Sequence, residues 1–374
     1  MHGSQVAQVV LFTAAHACLL FVAVDVIVAT EVENAVDDEV GKLRVERVTE
    51  LSRLSFGRRQ GNSDVAEQGL IRHALDEVTG QVKWSETPCG EVRARFLRFL
   101  RLFAALPTTV SSMNIAVAIG AHPDDIEFGM AGTLLMLRRA GWVTHYLNVA
   151  NGSCGSRQHS AAKLVAMRRQ EARAAARVLG AHWHPSLVTD LEILYELKTL
   201  RRLAAVLRAV KPTIILTQSP EDYMEDHTNT CRLVVTAAFS LGMANFRTVP
   251  VRPAIDVEVT LYHALPHGLR DGLRRRIVPG AFVNTTPVHA TKLAALAEHK
   301  SQQDWLDVSQ GMNSYLKTMD AMSREVGRLS RRFTHAEGWR RHSHLGFSAS
   351  GTDPLRSALG KDCLVNRRYE ASLG

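Results

Sequence analysis

The stretch Asn114-Ile115-Ala116-Val117-Ala118-Ile119-Gly120-Ala121-His122-Pro123-Asp124-Asp125-Ile126-Glu127-Phe128-Gly129 decides how the chain is read. Its first six residues form a short apolar run of the kind a strand buried on both faces requires. The run stops at Gly120, passes through a polar turn and gives way to a helical pattern. Working outward, similar apolar runs recur at 143–149 and 212–217, rich in β-branched residues or leucine. Between them lie helical patterns with clear stops. Ala131–Ala140 ends at Gly141, Ala161–Leu179 ends at Gly180, and Leu197–Val210 runs into Lys211-Pro212. Strand and helix in alternation predict an α/β fold, a Rossmann-like doubly wound and mostly parallel sheet with helices on both faces. No internal repeat or low-complexity tract interrupts it.

In open α/β sheets, ligands bind at the carboxyl ends of strands. The turn after the first strand therefore stands where chemistry is expected, and it offers one imidazole and three carboxylates within six residues. His122 and Asp125 are three apart, so a turn entering a helix can aim both at one ion. Imidazole nitrogen with carboxylate oxygen suits zinc or another divalent first-row metal. A third ligand should come from another strand end. The strand Thr213–Thr217 leads into Ser219-Pro220-Glu221-Asp222-Tyr223-Met224-Glu225-Asp226-His227, with His227 expected just before a helix spanning Thr228–Gly242. Three mixed ligands leave a coordination position open, as catalytic zinc sites do. Asp124 would point away from Asp125 across the tight turn, placing a second carboxylate beside the ion as a general base. Each motif alone has a plainer explanation. His-Pro-Asp-Asp can cap a helix N-terminus, and Asp-His pairs are common on surfaces. Their joint placement at two strand ends favours the metal.

The rest of the chain bounds the reading. It has 374 residues, 46% of them apolar and 22% charged, enough for a sizeable core. Five cysteines, Cys18, Cys89, Cys154, Cys231 and Cys363, show no CxxC spacing, so neither a disulfide framework nor a thiolate zinc site is expected. A reducing, cytoplasmic setting follows as an expectation. The net charge of +8 is uneven: residues 1–112 carry 12 basic and 14 acidic side chains, leaving 33 and 23 for 113–374. A basic body can attract an anionic substrate, although a generally arginine-rich proteome would give the same balance. Runs such as Arg274-Arg275-Arg276 lack interleaved aromatics, so no nucleic-acid partner is expected. Residues 1–112 differ in character and read as a poorly defined N-terminal extension, with the natural start at Met113. A regulatory or interaction segment is the rival reading. Val6 to Val28 is largely apolar, but Asp25 interrupts it and no Lys or Arg precedes it, so stable membrane insertion is not expected.

Ala121-His122-Pro123-Asp124-Asp125, followed by Asp226-His227, closely resembles the signature of the PIG-L/LmbE-like deacetylase family. The resemblance spans essentially all of 113–374. It includes the Gly152 turn, the Arg168-Arg169-Gln170-Glu171 helix, and the segments His299-Lys300-Ser301-Gln302 and Ala336-Glu337-Gly338-Trp339. It implies zinc held by His122, Asp125 and His227, Asp124 as base, Asp226 supporting the ligands, and Arg168 binding substrate, with Arg169 as its alternative. A plainer role for Arg168 is an exposed helix arginine paired with Glu171. The implied reaction removes acetate from a small-molecule N-acetylglucosamine conjugate, and the family's habit of forming multimers implies a homo-oligomer.

One position departs from the family. Many members carry a histidine three residues before the metal-binding one, where this chain has Met224. That histidine is thought to stabilise the oxyanion or protonate the leaving amine, and methionine can do neither. His263 and His267, after an expected strand Val257–Leu261, and Tyr223 and Asp222 are the candidates to replace it. Met224 also motivates the alternative of a non-catalytic sugar- or metal-binding descendant. Retention of Asp124 argues against that, because a binding module needs no base. A dinucleotide-binding oxidoreductase fails at the first turn, which lacks GxGxxG, and a serine hydrolase fails for want of GxSxG.

Overall fold

The computed structural model describes residues 114–310 and 315–374. The expectations for the N-terminal extension, its apolar stretch and the Met113 start lie outside the described residues.

In chain order the elements are β1 (Ile115–Gly120), α1 (Asp125–Gly129), α2 (Ala131–Arg139), β2 (Val143–Asn148), α3 (Ala161–Leu179), β3 (His182–His184), α4 (Leu197–Val210), β4 (Ile214–Thr217) and α5 (Glu225–Phe239). They continue with β5 (Thr260–Ala264), β6 (Ala281–Asn284), α6 (His289–Leu296), α7 (Lys300–Gln310), α8 (Tyr315–Ser330), β7 (Ala336–Arg341), α9 (Pro354–Leu359), β8 (Cys363–Val365) and α10 (Arg367–Glu370). One eight-stranded sheet runs β3-β2-β1-β4-β5-β7-β6-β8. Its first five strands are parallel, and β7, β6 and β8 complete it antiparallel. The fold is the Rossmann-like doubly wound α/β sheet that the alternation predicted.

Burial on β1 explains why its sequence is apolar at every position. Ala116 and Ala118 face one core with Leu134 and Leu137 of α2 and Ala172 and Ala176 of α3. Val117 and Ile119 face the other, with Leu203 and Leu207 of α4 and Leu233 and Val234 of α5. Small residues on one face let α2 lie close to the sheet. Truncating a fully buried residue such as Ile119 to Ala would cost about 2–5 kcal/mol.

Helix stops behave as their residues dictate. Ser160 caps α3 by accepting from the Lys163 N–H, and Gly180 closes that helix in the left-handed region at φ 65°. Lys211 takes the same role after α4, at φ 55°. Two boundaries differ from expectation. Helix α5 begins at Glu225, not Thr228, because Asp222 accepts the Met224 N–H and two acidic residues favour the first turn. It closes at Phe239, before the expected Gly242. His227 therefore sits inside the first turn of the helix. Strand β5 begins at Thr260, where its N–H reaches the Thr213 carbonyl at 2.9 Å, so the ladder runs on through His263 instead of ending at Leu261.

Candidate metal centre

Strand β1 has β2 on one side and β4 on the other, and the helices that follow β1 and β4 pack on opposite faces of the sheet. A crevice opens where the two connections diverge, at the topological switch point. Gly120 shapes its floor. A Cβ there would stand 3.1 Å from Asp125 Cβ and 3.1 Å from Ile126 Cγ1, so a larger residue would press on the side chains of the turn.

The expected ligands meet in this crevice. One ligand atom from each of His122, Asp125 and His227 lies within 4.8 Å of the others. Asp125 Oδ1 is 3.4 Å from His227 Nε2, and Asp125 Oδ2 is 3.5 Å from His122 Nδ1. The opposite edge of each ligand is anchored. His122 Nε2 pairs with Asp226 Oδ2 at 2.9 Å, and the same oxygen accepts the Leu191 N–H at 2.8 Å. His227 Nδ1 pairs with Asp222 Oδ1 at 2.9 Å. Asp125 Oδ2 accepts from the His122 N–H at 2.7 Å and from Gln218 Nε2 at 2.8 Å. The helix-cap and metal readings thus coincide, since Asp125 ties down the turn through Oδ2 while its Oδ1 faces His227. Carboxylates behind both imidazoles fix ring orientation and tautomer as metal sites require, so the donor set fits a divalent cation such as zinc.

Electrostatics agree with the geometry. Burial alone would raise Asp125, yet the two imidazoles hold it well below the ordinary carboxylate range. Burial likewise opposes charge on His122, but hydrogen bonds to Asp125 and Asp226 lift it to about 10. The three side chains already form a place for positive charge.

Asp124 stands beside them in an unusual backbone conformation, φ 113°, which a non-glycine residue holds only under strain. Its side chain is buried, and its Oδ2 accepts from the Tyr315 hydroxyl at 2.6 Å. Burial first, then the charge of Asp125, pushes its carboxyl up to about 7. His299 and Tyr315 restrain that rise. Glu127, the remaining carboxylate of the motif, turns away into the core, 3.3 Å from the Tyr146 hydroxyl and 3.4 Å from His299 Nε2.

His122, Asp125, His227, Asp124, Gln218 and Tyr315 border a cavity of about 360 Å³, whose walls also include Arg168, Asp190, Met224, His267 and Trp305. Arg168 is buried, its guanidinium donating to the Cys154 and Gly155 carbonyls at 2.8 and 3.1 Å. The exposed pair with Glu171 does not form, because Glu171 accepts from the Ser301 N–H and hydroxyl. Arg169 is exposed and off the cavity wall. Of the four candidates to replace the missing histidine, Tyr223 and His267 line the cavity. Asp222 is committed to His227, and His263 lies elsewhere against His342, at 2.9 Å. Gln218, Asp190 and Tyr315 escaped the sequence reading. Asp190 accepts the Gly152 and Cys154 N–H groups at 2.6 and 3.0 Å, holding the loop that flanks the cavity. Among the described residues, no helix is long and apolar enough to cross a membrane.

The sequence profile of the PIG-L family, GlcNAc-PI de-N-acetylase, matches residues 117–238, from β1 through α5. Diacetylchitobiose deacetylase of Thermococcus kodakarensis is 28% identical over 210 residues, 54% of this chain and 75% of that protein. A 4-oxalmesaconate hydratase of Pseudomonas putida is 31% identical over 120 residues, covering 30% of this chain and only 46% of the hydratase. The solved N,N'-diacetylchitobiose deacetylase of Pyrococcus horikoshii shares the fold, with a TM-score of 0.51 and 22% identity, over 74% of this chain and 99% of that one. Residues 117–238 match the PIG-L family profile, and the His-Pro-Asp-Asp motif and the metal-competent triad both lie within that span.

Proposed function

We propose that the chain is a metal-dependent hydrolase that removes acetate from an N-acetylated amino sugar, an N-acetylglucosamine conjugate. The observation that carries this reading is the placement of Asp124 beside a triad whose every ligand is anchored from behind. His122, Asp125 and His227 would hold the cation, taken as zinc. When bound, the cation supplies Lewis-acid polarisation and lowers the pKa of water.

The remaining work falls to the protein's own groups. Tyr315 occupies Asp124 Oδ2, which leaves Oδ1 to take the proton of the attacking water. Water adds to the acetamide carbon, the C–N bond breaks, and Asp124 returns its proton to the departing amine. The products are acetate and the free amino sugar. His267, kept neutral by burial, faces the cavity and can donate a hydrogen bond to the developing oxyanion, the task for which Met224 is unsuited. Arg168 holds the 154–155 carbonyls and so shapes the wall against which the sugar would lie.

Likeness to the hydratase motivates a second reading, in which the same base and cation add water to a carbon–carbon double bond of an unsaturated acid. The full-length protein, loaded with zinc, should be offered N-acetylglucosamine conjugates and unsaturated dicarboxylates side by side. Acetate release supports the deacetylase. Loss of the conjugated absorbance without acetate would replace it with the hydratase.

A further inference from the structure

A second cluster of metal-ligating residues lies outside the cavity. His289 opens α6, Asp320 lies within α8, and His335 immediately precedes β7. One ligand atom from each comes within 4.8 Å of the others. His289 Nε2 is 2.7 Å from Asp320 Oδ1, and His335 Nε2 is 3.2 Å from the same oxygen. The two imidazoles stack with centroids 3.7 Å apart and planes 14° from parallel.

Hydrogen bonding does not account for this arrangement. Both histidines are buried, with side-chain exposures of 9% and 10%. Only His289 is aligned to bond Asp320, and His335 Nε2 is left without a hydrogen-bond partner despite its proximity. A buried polar atom facing a carboxylate without bonding it is costly. A cation seated between the two Nε2 atoms and Oδ1 would satisfy all three at once, with a modest opening of the stacked rings. Asp320 is partly exposed, which gives the ion a route in and water a place to complete its coordination.

We propose that His289, Asp320 and His335 form a second divalent-cation site, for zinc or a similar first-row ion, which staples α6, α8 and the start of β7 together. The consequence reaches the cavity, because Tyr315, Thr318 and Met322 of α8 form part of its wall. This site is weaker than the first. Arg324 Nε sits 2.8 Å from Asp320 Oδ2, and the ammonium of Lys292, 2.8 Å from Glu337 Oε1, adds positive charge nearby. Neither imidazole has a carboxylate behind its Nδ1. The second site therefore fills after the first.

The test uses metal-stripped full-length protein dialysed against zinc, with bound metal counted per chain. Asp320→Asn and His335→Gln should each bind one zinc fewer than the unaltered chain. His227→Ala, which disables the first triad, should still gain thermal stability with zinc. Adding Asp320→Asn to His227→Ala should abolish that gain. Cobalt on the His227→Ala protein should give a visible absorption band that His335→Gln removes. Unchanged zinc counts in both second-cluster variants, or no zinc-dependent stabilisation of His227→Ala, would overturn the proposal. None of these readouts depends on catalysis, so they stand apart from the proposed deacetylation.

Discussion

Two His–Asp–His clusters, built from the same residue types, differ in what stands behind them. At the sheet switch point, Asp226 and Asp222 hold the far nitrogens of His122 and His227, and Gln218 holds Asp125. Between α6 and α8, the far nitrogens of His289 and His335 have no hydrogen bond, and Arg324 occupies the outer oxygen of Asp320. The first cluster also has a strained, buried carboxylate beside it and opens on a cavity. No residue of the second cluster lines that cavity. Ligand identity alone therefore does not make a catalytic centre. The groups that orient the ligands, and a base within reach, do.

The contrast predicts effects of decreasing size. Asp124→Asn should lower turnover on the order of 10²–10⁴-fold while the bound zinc count stays the same. A loss of zinc would instead make Asp124 a ligand. Asp226→Asn should weaken zinc at the first cluster by about 10–100-fold, measured by competition with a chelator, and leave the second cluster unchanged. Equal weakening of both would erase the distinction drawn between them. Tyr315→Phe removes the hydrogen bond to Asp124 and should reduce kcat about tenfold, with KM and zinc content unchanged.

A separate effect, on stability and not on turnover, concerns histidines that lack a carboxylate to offset burial. Burial, with neighbouring His184 and His182, lowers His145 to about 3, and burial lowers His263 to about 4. Each stays neutral when folded but would protonate near 6.5 when unfolded. The stability they contribute is present above pH 6.5 and is lost as pH falls towards 4 and 3. The unfolding free energy from urea titrations should therefore drop below pH 6.5, by up to about 1.4 kcal/mol per pH unit for each proton taken up. His145→Asn should flatten that slope.

Much of this molecule could be read from local pattern. Strand β1 announced itself because both of its faces are buried, and Gly180 marked the end of α3 because only a left-handed residue closes that turn. His122, Asp125 and His227 were legible because motif residues at two strand ends must converge when the strands are neighbours. What stayed hidden depends on distant chain. Tyr315 reaches Asp124 across 191 positions, and Glu337 binds the N–H groups of Gly132 and Thr133 across more than 200. Neither carries a local signature. Burial of Arg168 was hidden for the same reason, since its partners are loop carbonyls and not a helical neighbour. The second cluster joins residues from three separate elements, and no spacing rule anticipates it.

The most direct test of the account is zinc-dependent acetate release from N-acetylglucosamine conjugates by the full-length chain, alongside Asp124→Asn. The account predicts acetate from at least one conjugate, lost with a chelator, restored by zinc, and absent in the variant. No acetate from any conjugate with zinc bound at the first triad, or release indifferent to the chelator or to Asp124, would contradict it.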